Sequence, residues 1–445
     1  MRHPISWSEL TSASVGVWGL GVEGSASVRR LQSMGSVPVL VEDEPAAPAM
    51  GDLEVLSTAQ GGLPALLRCD VVIKSPGISR YRPEVAQLES AGVPVRGGLG
   101  LWLQDADRAG IACITGTKGK STTTALAVHL LTRLGYDARA GGNIGRPPWD
   151  PSAEQDPAYW VIETSSFQVP DLTCGPPVVA VTSLSPDHLD WHGSVERYYA
   201  DKLSLCTKPG VTLAIAEGSD PLLRAHAAAM GPHLRWVGRL GAAPVTTWSH
   251  ALALPGLHNA RNASIARAVL VGLGIAAADD DDAMTAAAVG FAGLPSRCRS
   301  LGHIGATEFV DDSLSTNVLP AQAALAAFDD RPVALLVGGH DRGLDYTPLG
   351  QSVAQRVQRM QPTLVVTMPD NGPRIGHAIR QVAGDQVEMV DADDLADAVA
   401  IAFAWAESGG VVLLSPAAPS FGRYHDYRDR ARAFAEAAAR CGTLS

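Results

Sequence analysis

The run Gly116-Thr117-Lys118-Gly119-Lys120-Ser121 has the residue types of a phosphate-binding loop. Glycines let the backbone curl so that successive N–H groups face one point, Lys120 supplies a cation for terminal phosphates, and Ser121 offers a hydroxyl to a magnesium ion. The loop follows an apolar stretch, IACITG, and precedes a helical one, TTTALAVHLL, which is the strand–loop–helix setting such a loop requires. Its spacing is a shortened form of the common G-x-x-x-x-G-K-[ST] pattern. Two further side chains close strand-like segments of the same region: Glu163 after YWVI, and His188 after VAVTSLSPD. A carboxylate and an imidazole at the carboxyl ends of parallel strands can hold magnesium between ATP and a second substrate. The chemistry predicted from these residues is phosphoryl transfer from ATP.

A second glycine run, Gly19-Leu20-Gly21-Val22-Glu23-Gly24, carries less information, because three glycines serve a tight turn and close helix packing in many α/β domains. Glu42, Asp43 and Glu44 follow the next strand, where they suit ribose hydroxyls. Together these admit a rival, an NAD-dependent dehydrogenase, in which the Lys120 loop would have no task. A nucleotide-binding regulator without catalysis is a third reading, one that leaves Glu163 and His188 idle.

The elements that must position these groups alternate between strand and helix. SVGVW, the glycine turn, SASVRRLQSMG and VPVLVED make a βαβ opening, and DVVIKSPG ends in a turn at Pro76 and Gly77. IACITG, YWVIETS, VVAVTSL and VTLAIA make a second set, followed by an alanine-rich helical stretch from His258 to Gly274. TEFVDD, VALLVGG, TLVVTM and GVVLLSP make a third. Such alternation predicts parallel sheets covered by helices. The expected fold class is α/β in three domains: a Rossmann-like N-terminal domain over 1–98, a central P-loop ATPase domain with a parallel sheet over 99–290, and a C-terminal Rossmann-like α/β domain over 291–445. Asp279 to Asp282 read as a solvated loop or helix start.

Composition narrows the function classes. A chain of 445 residues exceeds one hydrophobic core, and 46% hydrophobic against 18% charged residues supports large buried cores. The net charge of −11 comes without a basic stripe, which argues against nucleic acid as a partner. Six cysteines stand singly, with no zinc-like spacing, and read as buried thiols in a reducing cytoplasm. No apolar run approaches the ~20 residues of a membrane helix, and the N-terminus lacks the charged start and apolar core of a signal peptide.

Taken together, the ordered motifs resemble the Mur ligase family, which includes folylpolyglutamate synthetase, and most closely its glutamate-adding branch. The matching segments span nearly the whole chain: GLGVEG at Gly19, SPGIS at Ser75, GTKGKSTTT at Gly116, GGNIG at Gly141, ETSSFQ at Glu163, PDHLDWHGSVERYYADK ending at Lys202, GLHNARNA at Gly256, GLPSR ending at Arg297, DDSLSTN at Asp311, GGHDRGLD at Gly338 and SPAAPSFGRYHDY at Ser415. Folylpolyglutamate synthetase itself lacks a dedicated domain in front of the ATPase, so the opening hundred residues count against that member.

The resemblance implies an ATP- and Mg2+-dependent ligase that joins glutamate to UDP-N-acetylmuramoyl-L-alanine through an acyl phosphate, acting as a cytoplasmic monomer in peptidoglycan synthesis. Gly19, Gly21, Ser75, Pro76 and Gly77 would hold the UDP group, with Asn143 and His188 near the muramoyl part. Gly116, Thr117, Lys118, Gly119, Lys120, Ser121 and Thr122 would handle ATP, with Asn262, Arg297 and Asp312 at adenine, phosphate and ribose. Ser121, Glu163, His188 and a carbamylated Lys202 would hold the metal, and Lys120, Glu163, His188 and Lys202 form the catalytic set.

The amino-acid pocket, expected at Leu314, Thr316, Arg342, Ser420 and Tyr427, departs from the family. D-glutamate-adding members carry a lysine where Leu314 stands, and leucine cannot pair with a carboxylate. Losing such a charge-assisted bond costs ~1.5–3 kcal/mol, so the glutamate must be gripped differently. Arg342 replaces a second lysine and Tyr427 the usual phenylalanine, while Ser420 keeps the expected serine. A rewritten pocket fits the offshoot of the family that adds L-glutamate. The alternative is a D-glutamate enzyme in which Arg342 compensates.

Overall fold

A computed structural model describes residues 3–44, 53–152, 156–239, 248–252, 254–406 and 409–445. The chain divides into two compact units, Met1–Ala251 with Arg261–Val289, and Leu252–Ala260 with Gly290–Ser445.

The first unit holds two parallel sheets. β1 (Val15–Trp18), β2 (Val39–Glu42), β3 (Val55–Ser57), β4 (Val71–Lys74) and β5 (Val95–Arg96) form the first, in the order β3-β2-β1-β4-β5. β6 (Ile111–Thr115), β7 (Ala138–Gly142), β8 (Tyr159–Glu163), β9 (Val178–Val181), β10 (Leu213–Glu217) and β11 (Leu234–Val237) form the second, in the order β11-β10-β9-β6-β8-β7. β1, β4, β6 and β9 are buried along their whole length and are largely apolar, as strands covered on both faces are. One continuous core runs from Val17 and Ile73 of the first sheet through Leu101 and Trp102 to Cys113 and Ile162 of the second. A smaller cluster, including Trp18, Val41 and Val72, lines the other face of the first sheet.

The second unit is built on β12 (Arg299–Ile304), β13 (Thr307–Asp311), β14 (Val333–Gly339), β15 (Thr363–Asp370), β16 (Glu388–Asp391) and β17 (Val411–Leu414), in the order β12-β13-β17-β14-β15-β16. β12 is antiparallel to β13 and the other pairings are parallel. Two clusters, one around Leu335 and Val365 and one around Leu336 and Val366, pack its two faces, as the alternation of side chains along a strand dictates.

The acidic run resolves as a helix start. Asp280 caps the helix Asp281–Ala288, accepting from the backbone N–H groups of Asp282 and Ala283. All six cysteines are free, five of them buried. No described helix is long and apolar enough to cross a membrane.

Candidate active site

Parallel pairing places the candidate groups of the second sheet side by side. Ile114 of β6 stands opposite Glu163 of β8, and Thr115 opposite Val181 of β9. The chain leaving β6 therefore emerges between Glu163 and Thr182 before it enters the helix Lys120–Arg133. Gly116 and Gly119 have φ of 139° and 89°, values that side chains disfavour. A Cβ on Gly116 would lie 2.1 Å from Thr182 Oγ1, and one on Gly119 2.5 Å from Asn262 Oδ1. The loop is glycine-bearing because neighbouring strand ends and Asn262 close on its backbone.

Cross-links hold that conformation. Thr117 N–H donates to Ser183 O, the Thr117 hydroxyl meets the Tyr198 hydroxyl at 2.9 Å, and Lys118 N–H donates to Ser183 Oγ. Lys118 Nζ pairs with Asp187 at 3.2 Å. Lys120 Nζ donates to the carbonyl oxygens of Gly116 and Thr117, both at 3.0 Å, which puts its ammonium over the loop. Ser121 and Thr122 begin the helix, with the Ser121 side chain buried.

Glu163 is 1% exposed. Its Oε1 accepts from Asn143 Nδ2 at 2.9 Å, and its Oε2 is buried without a hydrogen-bond partner among the described residues. An unpartnered carboxylate oxygen is costly in an interior and suits a cation. His188, at φ 52°, precedes the short helix Leu189–His192. Its imidazole lies 4.8 Å from the Phe167 ring. Burial pushes its pKa below the usual histidine value; Asp187 opposes this, while Lys120, Lys202 and Lys118 reinforce it. Lys202, on the helix Val195–Leu203, is buried and donates from Nζ to Gly116 O at 2.9 Å. Burial, then the charge of Lys120, drives its pKa well below the ordinary lysine value, with Asp187 and Glu163 opposing.

The chemistry of Glu163 suits a magnesium ion. Among the described residues no three or more His, Cys, Asp or Glu side chains gather as a cage. Magnesium needs none, because it binds through one or two carboxylates with phosphates and water completing the shell. The buried Oε2 of Glu163 is the protein oxygen that most needs such a charge.

In the first sheet, Gly19 at φ 87° carries the turn after β1, and Gly21 caps the helix Val22–Ser33. Ser75 Oγ donates to Gly19 O at 2.6 Å, joining the two loops expected to hold UDP. Pro76 O accepts from the indole Nε1 of Trp191 at 3.0 Å, and Ser79 Oγ donates to Trp191 O at 2.8 Å. Gly77 has open space where a Cβ would stand. Two of the three acidic residues of the dehydrogenase reading, Glu42 and Asp43, are engaged within the protein. Glu42 accepts from Leu20 N–H at 2.6 Å, and Asp43 takes Arg82 and the Thr58 hydroxyl. Burial pushes the Glu23 carboxyl up to about 7, and Gln168 of the ETSSFQ segment donates to it.

Trp191, His192 and Tyr198 are contributions that the sequence reading missed, although all three lie inside the segment ending at Lys202. His192 bridges Asp201 at 2.7 Å and Ser166 Oγ at 3.0 Å, fixing the helix that His188 introduces.

The second unit carries the remaining candidates. Asp312 follows β13 and is buried; it accepts from Cys298 N–H at 3.0 Å and from the Ser415 hydroxyl at 2.7 Å. Burial pushes its carboxyl up to about 7 against those bonds. Arg297 is partly buried beside Cys298, and Leu314 N–H donates to Ser296 O. Leu314 and Thr316 are partly buried, Ser420 is buried, Tyr427 opens the helix Tyr427–Cys441, and Arg342 is exposed. The loops after β13 and β17 are tied to the end of β14 by Arg430, whose guanidinium donates to the carbonyls of Ser313, Ala418 and Gly338.

Comparison with known proteins gives the family. The Mur ligase middle domain profile matches residues 114–270, and that of the Mur ligase glutamate ligase domain matches 296–418. The UDP-N-acetylmuramoyl-L-alanine--L-glutamate ligase of Xanthomonas axonopodis pv. citri is 40% identical over 97% of this chain and 96% of its own length. The enzyme of the same name from a Micromonospora species is 38% identical, covering 97% of each chain. Among solved structures, a UDP-N-acetylmuramate-alanine ligase from Thermotoga maritima superposes with a TM-score of 0.55 at 18% identity, over 96% of this chain and all of its own. The MurF ligase of Thermotoga maritima in complex with ADP gives 0.56 at 13%, over 98% of each. These two establish a shared fold, whereas the near-full-length sequence identities carry the assignment: the chain belongs to the Mur ligase family.

Proposed function

We propose that this protein is an ATP-dependent ligase that joins L-glutamate to UDP-N-acetylmuramoyl-L-alanine. The observation that carries the reading is near-full-length similarity to enzymes of that name, combined with a loop of phosphate-binding form beside Glu163 and Lys202. The relatives' common name favours L- over D-glutamate, and Leu314 in place of a carboxylate-binding lysine agrees with it.

A free carboxylate is a poor electrophile. Transfer of the terminal phosphoryl group of ATP to the acceptor's carboxylate gives an acyl phosphate and ADP. The glutamate amine then attacks the carbonyl carbon, inorganic phosphate leaves, and an amide remains. In this reading the N–H groups at the start of the helix Lys120–Arg133 and the Lys120 ammonium bind phosphate oxygens. Asn262, Arg297 and Asp312 take adenine, phosphate and ribose. The loops at Gly19, Gly21 and Ser75 to Gly77 hold the UDP end, and Asn143 and His188 approach the acceptor. Leu314, Thr316, Arg342, Ser420 and Tyr427 stand at the positions that the family resemblance gives to the amino acid, and Ser420 among them lines a cavity of the second unit.

Ser121, Glu163, His188 and Lys202 would hold magnesium, which supplies positive charge against the phosphates. A Lys202 ammonium would repel that ion, but its depressed pKa favours the neutral amine. Such an amine adds to CO2, losing a proton to give an anionic carbamate, and the sign of the residue is reversed. The domain roles follow the same division: 1–98 for UDP, 99–290 for ATP and 291–445 for the amino acid.

The test is phosphate release and product mass with ATP, magnesium and UDP-N-acetylmuramoyl-L-alanine, offering L- or D-glutamate alone. Turnover with L-glutamate only is expected. Turnover with D-glutamate only would reassign the stereochemistry, and no amide with either would overturn the proposal.

A further inference from the structure

The second unit contains a cavity at the carboxyl ends of β14 and β15, whose lining includes Gly339, Asp370, Asp394, Ser420, Arg423 and Arg430. It is built by close approach of main chains. Gly339 has φ 144°, and a Cβ there would lie 2.3 Å from Pro419 O. Ser420 is the one member of this lining that the sequence reading had assigned to the amino acid.

Leu314, which stands where the family carries a lysine, offers a dicarboxylic amino acid no cation and does not line this cavity, whereas two arginines, Arg423 and Arg430, do. Arg342 is exposed and is not part of the lining. Arg430 is in the lining but only 1% exposed, and its terminal nitrogens donate to the carbonyls of Ser313, Ala418 and Gly338. It holds two loops to the end of β14 and is enclosed there, away from a ligand. Arg423 is different. Its side chain is about half exposed, and Asp370 accepts from its Nε at 3.0 Å. That bond uses one of five guanidinium donors and orients the planar fork. Asp394 opposes Arg430 in the rest of the lining, so Arg423 is the exposed cation that a carboxylate can reach.

We propose that Arg423 binds a carboxylate of the incoming glutamate, with the Ser420 hydroxyl beside it, and so takes over the role that Leu314 cannot perform. The inference rests on the glutamate-ligase reading, and it makes Arg423 a specificity-determining residue. The fork of an arginine held on one edge accepts a carboxylate in a fixed plane, whereas a lysine would offer a mobile point charge.

The experiment measures kcat and KM of the full-length enzyme for L-glutamate and L-glutamine, before and after Arg423→Ala and Arg423→Lys. Arg423→Ala is expected to raise KM for glutamate about 10- to 100-fold, with KM for ATP and for the UDP substrate within twofold, and to abolish the preference for glutamate over glutamine. Arg423→Lys should recover part of the loss. A KM for glutamate within twofold of wild type in Arg423→Ala, or an unchanged glutamate-to-glutamine preference, would overturn the inference while leaving the ligase reading intact. A wild-type enzyme that forms no amide with glutamate would remove the reading and the inference together. Because Arg423 is half exposed, loss of folding is not expected; matching thermal unfolding of variant and wild type checks this.

Discussion

Lys120 and Lys202 donate to the same carbonyl oxygen, that of Gly116, from 3.0 and 2.9 Å. Two amines on one acceptor cannot both carry charge cheaply. Lys120 lies at the loop surface and Lys202 is enclosed, so Lys202 is the one driven towards neutrality.

A neutral, buried amine should capture CO2. Enzyme incubated with 13C-bicarbonate should show a carbamate carbon by NMR that is missing from Lys202→Arg. The same variant should lose at least ~100-fold in kcat, the scale for removing one preorganised charge-stabilising group. A wild-type spectrum without the carbamate signal would contradict this role.

Trp191 links the expected UDP loop to the segment of His188. Its indole donates to Pro76 O, its own carbonyl accepts from Ser79, and its ring stacks on Phe167 at 4.9 Å. Trp191→Phe keeps the stacking but leaves Pro76 O without that donor, a loss of ~1–3 kcal/mol. KM for the UDP substrate should rise roughly 5- to 100-fold, with KM for ATP little changed. Equal rises in both would indicate a general loosening of the fold instead.

Gly116 has no room for a side chain, since Thr182 Oγ1 already donates to Lys118 O at 2.5 Å and Thr115 O at 3.2 Å. Gly116→Ala must displace Thr182 or the loop, at ~1–3 kcal/mol in stability. Equilibrium ATP binding should fall at least tenfold. Normal nucleotide affinity in that variant would mean the loop does not bind phosphate in this shape.

Asp312 supplies a pH dependence of stability with a definite sign. Folded, it titrates near 7; unfolded, near the ~4 of a free carboxyl group. Between those values the folded state holds a proton that the unfolded state releases, so stability falls as pH rises through this window and levels off above it. Asp312→Asn should remove up to ~1.4 kcal/mol per pH unit of that slope, measured by denaturant unfolding from pH 4 to 8. An unchanged slope would place the Asp312 pKa in the ordinary range. Glu23 contributes in the same direction and remains in both proteins.

The sequence determined more of the sheet interiors than of their edges. The eleven strands read from apolar runs are the interior strands, β1, β2 and β4, β6 and β8 to β10, and β13 to β15 with β17. The six that escaped among the described residues, β3, β5, β7, β11, β12 and β16, are the edges of the three sheets. An interior strand is covered on two faces and flanked by two neighbours, so its middle is apolar and reads as a run. An edge strand can be half wet, as the exposed residues of β12 and β16 are, and leaves no such run. The site divides in the same way. Lys120, Glu163 and His188 were legible because a glycine loop and strand ends announce themselves locally. The convergence of Lys120 and Lys202 on Gly116, the bond from Trp191 to Pro76, and the commitment of Arg430 to three carbonyls while Arg423 faces the cavity join residues up to 117 positions apart. Local residue order does not encode which distant backbone carbonyl a side chain will meet. Parallel pairing and burial decide that, and they exist only in the folded chain.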